Sequence, residues 1–244
     1  MNKQTADKNA YSSKSHRTVK SKKKFKRRYY WIRFIILSML LAATLVLLAF
    51  SPLFNITAVT VEGNTRYVSG DIINTADIYT GRNGFKCIGP DLGGIIRLRN
   101  TKAEKSIVKN YSYVKSARVQ YVLPGRITIY IEERNPVCIV PCLGNNLLMD
   151  SDGYIVDIAD KSVKYGYPVI KGLNAQQFTL GQAYSVENPD GLARAIKLIQ
   201  AIMDSDRDDN FKLYDQLTAL NVSNEMKAFL QIDSRIVVNL GDMR

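Results

Sequence analysis

Residues 119–136, VQYVLPGRITIYIEERNP, have the pattern of two β-strands joined by a tight turn. Ile127, Ile129 and Ile131 alternate with polar or aromatic residues, which is the period of an antiparallel strand with one buried face. Pro124-Gly125 suits the two central positions of a type II turn, in which glycine supplies the positive φ. The stretch therefore predicts a β-hairpin, and it lies far downstream of a long apolar run.

The residues before the hairpin predict one strand and two helices. Residues 59–61 have a strand pattern, and Ser69 is expected to be the N-cap of the first helix. Thr101 and Glu104 have the spacing of a capping box, which predicts the start of the second helix. Together with the hairpin, these elements give a β-α-α-β-β unit over about residues 56–133.

The residues from Pro136 onward predict a second section that is rich in β-structure. Residues 150–153, DSDG, are a turn signal between two short strands, and Asn188-Pro189 starts an amphipathic helix. Further strands are predicted at residues 167–170, 178–180, 217–222, 227–232 and 235–240.

The N-terminal region combines a basic segment with an uncharged apolar run. Residues 1–33 contain twelve Lys/Arg and one acidic residue, a net charge of +11, and the other residues contain 22 Lys/Arg against 21 Asp/Glu, or +1. The run that starts at Phe34 is long enough to cross a bilayer as one helix. Because Lys and Arg stay on the cytoplasmic side, we expect a cytoplasmic N-terminus and an outer part after about residue 55.

Two other interpretations of this region are less favoured. A cleaved signal peptide has a shorter basic region and a shorter apolar run, although residues 49–51 resemble a cleavage site. Nucleic-acid binding by the tail is the second, but a run of charge does not by itself distinguish base sequences. Attraction to anionic membrane lipid explains the same residues, so we expect no nucleic-acid partner.

Catalytic and metal-binding motifs are weak. The one histidine, His16, lies in the basic tail, which excludes His-based triads and His-ligated zinc from the outer part. Residues 106–109 have the S-x-x-K spacing of penicillin-binding enzymes without their S-D-N and K-T-G partners. Residues 204–215 resemble a calcium loop, but Asp209 stands where glycine is needed. We expect no enzymatic activity, no cofactor and no metal.

The three cysteines are Cys87, Cys138 and Cys142. On an extended strand the last two would be about 13 Å apart, at about 3.3 Å per residue, which exceeds the reach of a disulfide unless Pro141 bends the chain. Buried thiols are the favoured interpretation, and a disulfide from Cys87 to either of the others stays open.

Six short motifs follow one another along the chain: VTVEGN (59–64), YVKSARV (113–119), LPGRI (123–127), IEERNPV (131–137), MDSDG (149–153) and VVNLG (237–241). In this order they resemble the FtsQ/DivIB family of bacterial division proteins. The resemblance implies a basic cytoplasmic tail (1–33), a single transmembrane helix (34–54), an α+β POTRA domain (55–135) and a mixed β-rich domain (136–244). Residues 88–100 look like extra length relative to the family.

The resemblance implies a non-catalytic scaffold at the division septum, which recruits division proteins and coordinates septal peptidoglycan synthesis. The partners it implies are FtsB/DivIC-like and FtsL-like division proteins and the septal peptidoglycan synthesis machinery. The alternative function is a membrane-anchored cell-wall enzyme or sensor with a POTRA-like stalk.

The candidate partner-binding site is the last predicted strand. Alternation puts Ile236, Val238 and Leu240 on one face, where they are expected to pack on the sheet. We expect a free edge here because the sequence stops at Arg244, and a free edge offers unpaired N–H and C=O groups. The resemblance implies that a partner strand adds to it, and an edge covered by an earlier loop is the alternative. The site residues are Arg235, Ile236, Val237, Val238, Asn239 and Leu240.

Overall fold

The computed structural model describes residues 21–89, 91–160, 165–175, 177–207, 211–224 and 227–241. The chain divides into two units, Met1–Phe50 and Ser51–Arg244. The first contains helix α1 (Ser21–Ala49), in which Tyr29–Ala49 form an apolar stretch of 21 residues. At 1.5 Å per residue this stretch is about 32 Å long, enough to cross a bilayer. Among the residues that the structure describes, the predicted single apolar helix is confirmed, but it ends at Ala49 and not at residue 54.

The second unit begins with a three-stranded sheet, in the order β1 (Ala58–Glu62), β3 (Arg126–Glu133) and β2 (Val114–Val122). The first strand pairs parallel with the third, which pairs antiparallel with the second. Ile72 and Ile107, from two helices, and Ile129, from the central strand, are fully buried in one core. The predicted β-α-α-β-β order is confirmed, with one additional short helix between the two predicted helices. The elements are β1 (Ala58–Glu62), α2 (Ser69–Thr75), α3 (Leu92–Arg97), α4 (Thr101–Asn110), β2 (Val114–Val122) and β3 (Arg126–Glu133).

The two helix starts predicted before the hairpin each differ by one residue from the structure. The N-cap of α2 is Val68 and not Ser69. The N-cap of α4 is Asn100, whose side chain accepts a backbone N–H of the first turn. Glu104 does not complete a capping box, because its buried carboxylate accepts the Val119 N–H of β2 at 2.9 Å. Glu104 therefore makes a long-range contact with β2 and not the local contact at the helix start that the motif predicted.

The turn of the hairpin is not the predicted type II turn. Gly125 has no positive φ, and the peptide bond before Pro124 is cis. Glycine is needed for space, since a Cβ at Gly125 would lie 2.5 Å from the carbonyl oxygen of Asn55. The Gly125 carbonyl accepts the Thr57 N–H at 2.7 Å, so the turn is held against the start of β1. Pro124 and Gly125 do form the turn, as predicted, but glycine is required by the close approach to Asn55 and not by a positive φ.

The second sheet has seven strands, in the order β10 (Ile236–Gly241), β9 (Lys227–Ile232), β8 (Leu217–Asn224), β7 (Val169–Lys171), β4 (Pro136–Cys142), β5 (Asn145–Asp150) and β6 (Ile155–Ile158). Its core lies under helix α5 (Pro189–Ser205), whose buried residues include Leu192, Ile196 and Ile199. Residues 178–180, which were predicted to form a strand, are irregular. The elements are β4 (Pro136–Cys142), β5 (Asn145–Asp150), β6 (Ile155–Ile158), β7 (Val169–Lys171), α5 (Pro189–Ser205), α6 (Leu213–Gln216), β8 (Leu217–Asn224), β9 (Lys227–Ile232) and β10 (Ile236–Gly241).

A buried polar cluster joins the two sheets. Nη1 of Arg134, the residue after β3, lies 2.6 Å from Oδ2 of Asp150, and the two side chains are 6% and 4% exposed. The Arg134 guanidinium also lies 3.8 Å from the centre of the Tyr154 ring. Nearby, the Tyr113 hydroxyl donates to Asp157 at 3.0 Å, and burial followed by this hydrogen bond raises the pKa of Tyr113. These contacts position the second sheet, and with it β10, relative to the first.

Candidate functional site

Strand β10 lies at one edge of the seven-stranded sheet and pairs antiparallel with β9. The turn between them places Asp233 and Ser234 at φ values of 50° and 57°, in the left-handed region that short polar residues tolerate better than most. The Ser234 N–H donates to Oγ1 of Thr218 on β8 at 3.0 Å. This bond ties the turn to the sheet and so supports the register of β10.

The exposure of the β10 side chains corrects the predicted faces. Val238 packs against the core under α5, but Ile236 is 57% exposed and Leu240 is 37% exposed. The prediction that all three would pack on the sheet was therefore wrong. Helix α5 packs on β8, two strands away, and does not cover the edge. The register also shifts between Asn239 and Gly241, which interrupts the alternation at Leu240.

The start of β10 exposes apolar side chains on both faces of the sheet. Val237 is 64% exposed and lies on the face opposite to Ile236. Arg235, just before the strand, forms an exposed ion pair with Asp233. An edge strand with such side chains fits β-strand addition, in which backbone groups give affinity and alternate side chains give specificity.

The opposite edge of the same sheet is partly occupied by the chain itself. On β6, the Ile155 N–H donates to the carbonyl of Gln182 at 2.9 Å, and the Ile155 carbonyl accepts the Gly181 N–H at 2.7 Å. Within the residues that the structure describes, β10 has β9 as its only strand neighbour. The two edges therefore differ in how much of their backbone is already paired.

The weaker catalytic and metal-binding candidates have structural roles. Ser106, from the S-x-x-K spacing, lies on α4 and donates to the carbonyl of Thr75 at 3.2 Å, which links α4 to α2. Asp206, from the calcium-like segment, accepts two backbone N–H groups of α6 at 3.0 and 2.7 Å. Asp208 and Asp209 of that segment lie outside the described residues. Among the residues described, no cluster of three His, Cys, Asp or Glu side chains is arranged to hold a metal ion.

All three cysteines are free thiols. Cys138 is buried in β4, and burial raises its pKa to about 12, so it is protonated at neutral pH. Burial also raises the pKa of Cys87, which is partly buried. Since the thiolate is the reactive form, neither side chain has the properties of a nucleophile.

Comparison with known proteins assigns the first sheet and its helices. Residues 54–134 match the family described as "POTRA domain, FtsQ-type". This chain carries a POTRA domain of the FtsQ type. The domain contains β1 to β3 and α2 to α4, and strand β10 lies outside it.

Curated relatives match the chain beyond the POTRA domain. The chain is 27% identical over 152 residues to cell division protein FtsQ of Syntrophotalea carbinolica, which is 62% of this chain and 48% of that protein. It is 27% identical over 165 residues to cell division protein DivIB of Clostridium acetobutylicum, 67% of this chain and 59% of the relative. With DivIB of Clostridium tetani it shares 24% over 188 residues, 77% and 64% of the two chains. The resemblance to FtsQ and DivIB is confirmed, and the chain spans between about half and two thirds of these relatives.

Sequence analysis missed the ion pair at the junction of the two sheets. Arg134 and Asp150 both occur in the motifs that carry the resemblance, but Asp150 was assigned to a turn alone. Arg134 directly follows β3, and Asp150 is the last residue of β5, in which the three residues before Asp150 are also buried. A charged residue at such a position is rarely buried unless it is paired. Which two charges meet depends on the contact between the sheets.

Proposed function

We propose that this chain is a non-enzymatic scaffold of the division machinery, anchored in the cell membrane at the septum. It recruits division proteins and coordinates septal peptidoglycan synthesis through protein–protein contacts. The observation that carries the proposal is the edge strand β10, with its exposed Ile236 and Val237. The similarity of the chain to proteins named FtsQ and DivIB supports a role in cell division.

The partners we propose are FtsB/DivIC-like and FtsL-like division proteins. A strand of one partner would add to β10, taking up its outward N–H and C=O groups and covering Ile236 on one face and Val237 on the other. Val238 would support the strand from the core, since it is already packed there. The proposed contact therefore runs along residues 235–240, with the two exposed apolar side chains as its centre.

The topology that we propose is supported by the charge of the residues at the N-terminal end of the chain. Residues 1–33 have a net charge of +11 and would stay in the cytoplasm, in contact with anionic lipid. The POTRA domain and the second sheet would then lie outside, where β10 meets the outer segments of its partners.

Two matched substitutions test the contact in the full chain. Val237→Asp places a charge at the start of β10, and Ile158→Asp does the same on β6, where Ile158 is 43% exposed. We expect Val237→Asp to weaken capture of an FtsB/DivIC-like partner by about tenfold or more, which is about 1.4 kcal/mol, and Ile158→Asp to leave it within about twofold. Val237→Pro, which removes a backbone donor, should act in the same direction.

Thermal unfolding of each variant separates loss of contact from loss of fold. Val237→Asp and Ile158→Asp change exposed side chains, so both should melt close to the parent chain. A Val237→Asp variant that melts normally and captures its partner at full strength would place the contact elsewhere. In cells, a fluorescent fusion of the parent chain should collect at midcell, and a uniform envelope signal would contradict the division role itself.

A further inference from the structure

Three segments of the POTRA domain converge on Tyr121, near the end of β2. Its hydroxyl donates to the carbonyl of Phe54 at 3.0 Å and also contacts the carbonyl of Pro124 in the hairpin turn. Its backbone N–H donates to the carbonyl of Leu98, just after α3, at 2.8 Å. The first residues of the domain, the hairpin turn and the end of α3 therefore lie together at one end of the sheet.

Chain connectivity links this end of the sheet to the end of α1. Helix α1 ends at Ala49, and Ser51 is two residues further along, at most about 7 Å away for an extended chain. The carbonyl of Ser51 accepts a hydrogen bond from Nδ2 of Asn83 at 3.2 Å, and the Phe54 ring packs edge-on against Phe85 at 5.2 Å. The segment that leaves the bilayer is thus built into the same end of the domain.

This end exposes several large apolar side chains. Helix α3 contributes the most exposed ones, with Leu92 at 78% and Ile96 at 81%. The hairpin turn adds Leu123, and the first residues of the domain add Leu53. Several large apolar side chains exposed at one end of a domain indicate a contact with protein or membrane. We call the set the membrane-proximal patch, and its members are Leu53, Leu92, Ile95, Ile96, Val122 and Leu123.

Exposed basic side chains accompany the patch. Arg97 stands in the last turn of α3, Arg126 follows the hairpin turn, and Lys86 lies next to Phe85 in the loop that contacts Phe54. The acidic residue beside α3, Asp91, is engaged by the Gly94 N–H at 2.7 Å and by Oγ1 of Thr101 at 2.6 Å. The rim of the patch therefore combines apolar side chains with cations that suit phosphate headgroups.

We propose that the membrane-proximal patch docks on the surface of the membrane that holds α1, at the leaflet where α1 ends. Apolar side chains with flanking Lys and Arg are the combination by which amphipathic elements bind a lipid interface. A lipid surface is favoured over a protein partner because the patch includes Leu53, four residues after the end of α1. Docking would hold the POTRA domain against the membrane. The inference goes beyond the division role and does not depend on it.

The test uses the full chain in nanodiscs and a fluorophore that reports polarity. The label is attached to Ile96→Cys in α3 and, as a matched control, to Ser234→Cys in the exposed turn before β10. The parent chain supplies the background signal from the native thiols. In anionic nanodiscs that contain spin-labelled lipid, we expect about twofold or greater quenching at position 96 and little at position 234.

A charge variant and a second lipid separate the possible occupants. With the label at position 96, Arg97→Glu and zwitterionic lipid should each reduce the quenching, because both remove the attraction between arginine and the headgroups. Equal quenching in both lipids would overturn the role given to the cations. Unquenched emission in both lipids would overturn the proposal, and emission that shifts with protein concentration but is not quenched would assign the patch to a second copy of the chain.

Discussion

Replacing Arg134 with alanine should strongly destabilise the part of the chain that follows α1. The change removes the 2.6 Å partner of the Asp150 carboxylate, which is 4% exposed and would be left charged and buried. Breaking a buried pair from one side typically costs about 3–5 kcal/mol, against about 0–1 kcal/mol for an exposed pair. The packing of the guanidinium on Tyr154 is lost as well. Because Nε of Arg134 is buried without a hydrogen-bond partner among the described residues, we expect a loss near the lower value, about 3 kcal/mol.

The assay is thermal unfolding of the purified full chain in detergent, followed by circular dichroism. For a unit of this size about 2–4 °C corresponds to 1 kcal/mol, so Arg134→Ala should lower Tm by roughly 6–12 °C. Arg235→Ala is the matched control, since the ion pair of Arg235 with Asp233 is 80% and 48% exposed, and its Tm should change by no more than about 4 °C. Equal shifts for the two variants would refute the argument that burial gives the Arg134 pair its strength.

Two further predictions concern the POTRA domain. Gly125→Ala should lower the free energy of unfolding in urea by about 1–3 kcal/mol, because the new Cβ would lie 2.5 Å from the carbonyl oxygen of Asn55. An unchanged urea midpoint would contradict this close approach. Burial alone raises the pKa of Glu133, but hydrogen bonds from Thr65 and from the Arg66 N–H, the latter at 3.0 Å, bring it below its usual value. The ionised Glu133 therefore stabilises the fold above the unfolded pKa of about 4.3, and this stabilisation is lost as pH falls through the lowered folded pKa. The Tm difference between the parent chain and Glu133→Gln should be constant near neutral pH and shrink below about pH 4. A difference independent of pH would show that the charge of Glu133 is not involved.

Local signals in the sequence were enough to predict most of the elements. The isoleucine alternation at residues 127–131 predicted β3, and the uncharged run after Phe34 predicted most of α1. Asn188-Pro189 predicted the start of α5, where the Asn188 side chain accepts the Gly191 N–H at 2.8 Å. Each of these features depends on residues that are a few positions apart in the chain, and so it can be predicted from the sequence alone.

The tertiary structure decided what depends on distant residues. The parallel pairing of β1 with β3, the close approach at Gly125 and the diversion of Glu104 from its capping box are contacts between segments far apart in sequence.

The candidate site shows the same division. The strand at residues 235–240 was predicted from its pattern, and β10 (Ile236–Gly241) forms there. The exposure of Ile236 was not predicted, because alternation tells which side chains share a face and not whether another element covers that face. That depends on α5 packing on β8 and on the position of β10 at the edge of the sheet, which only the assembled sheet determines.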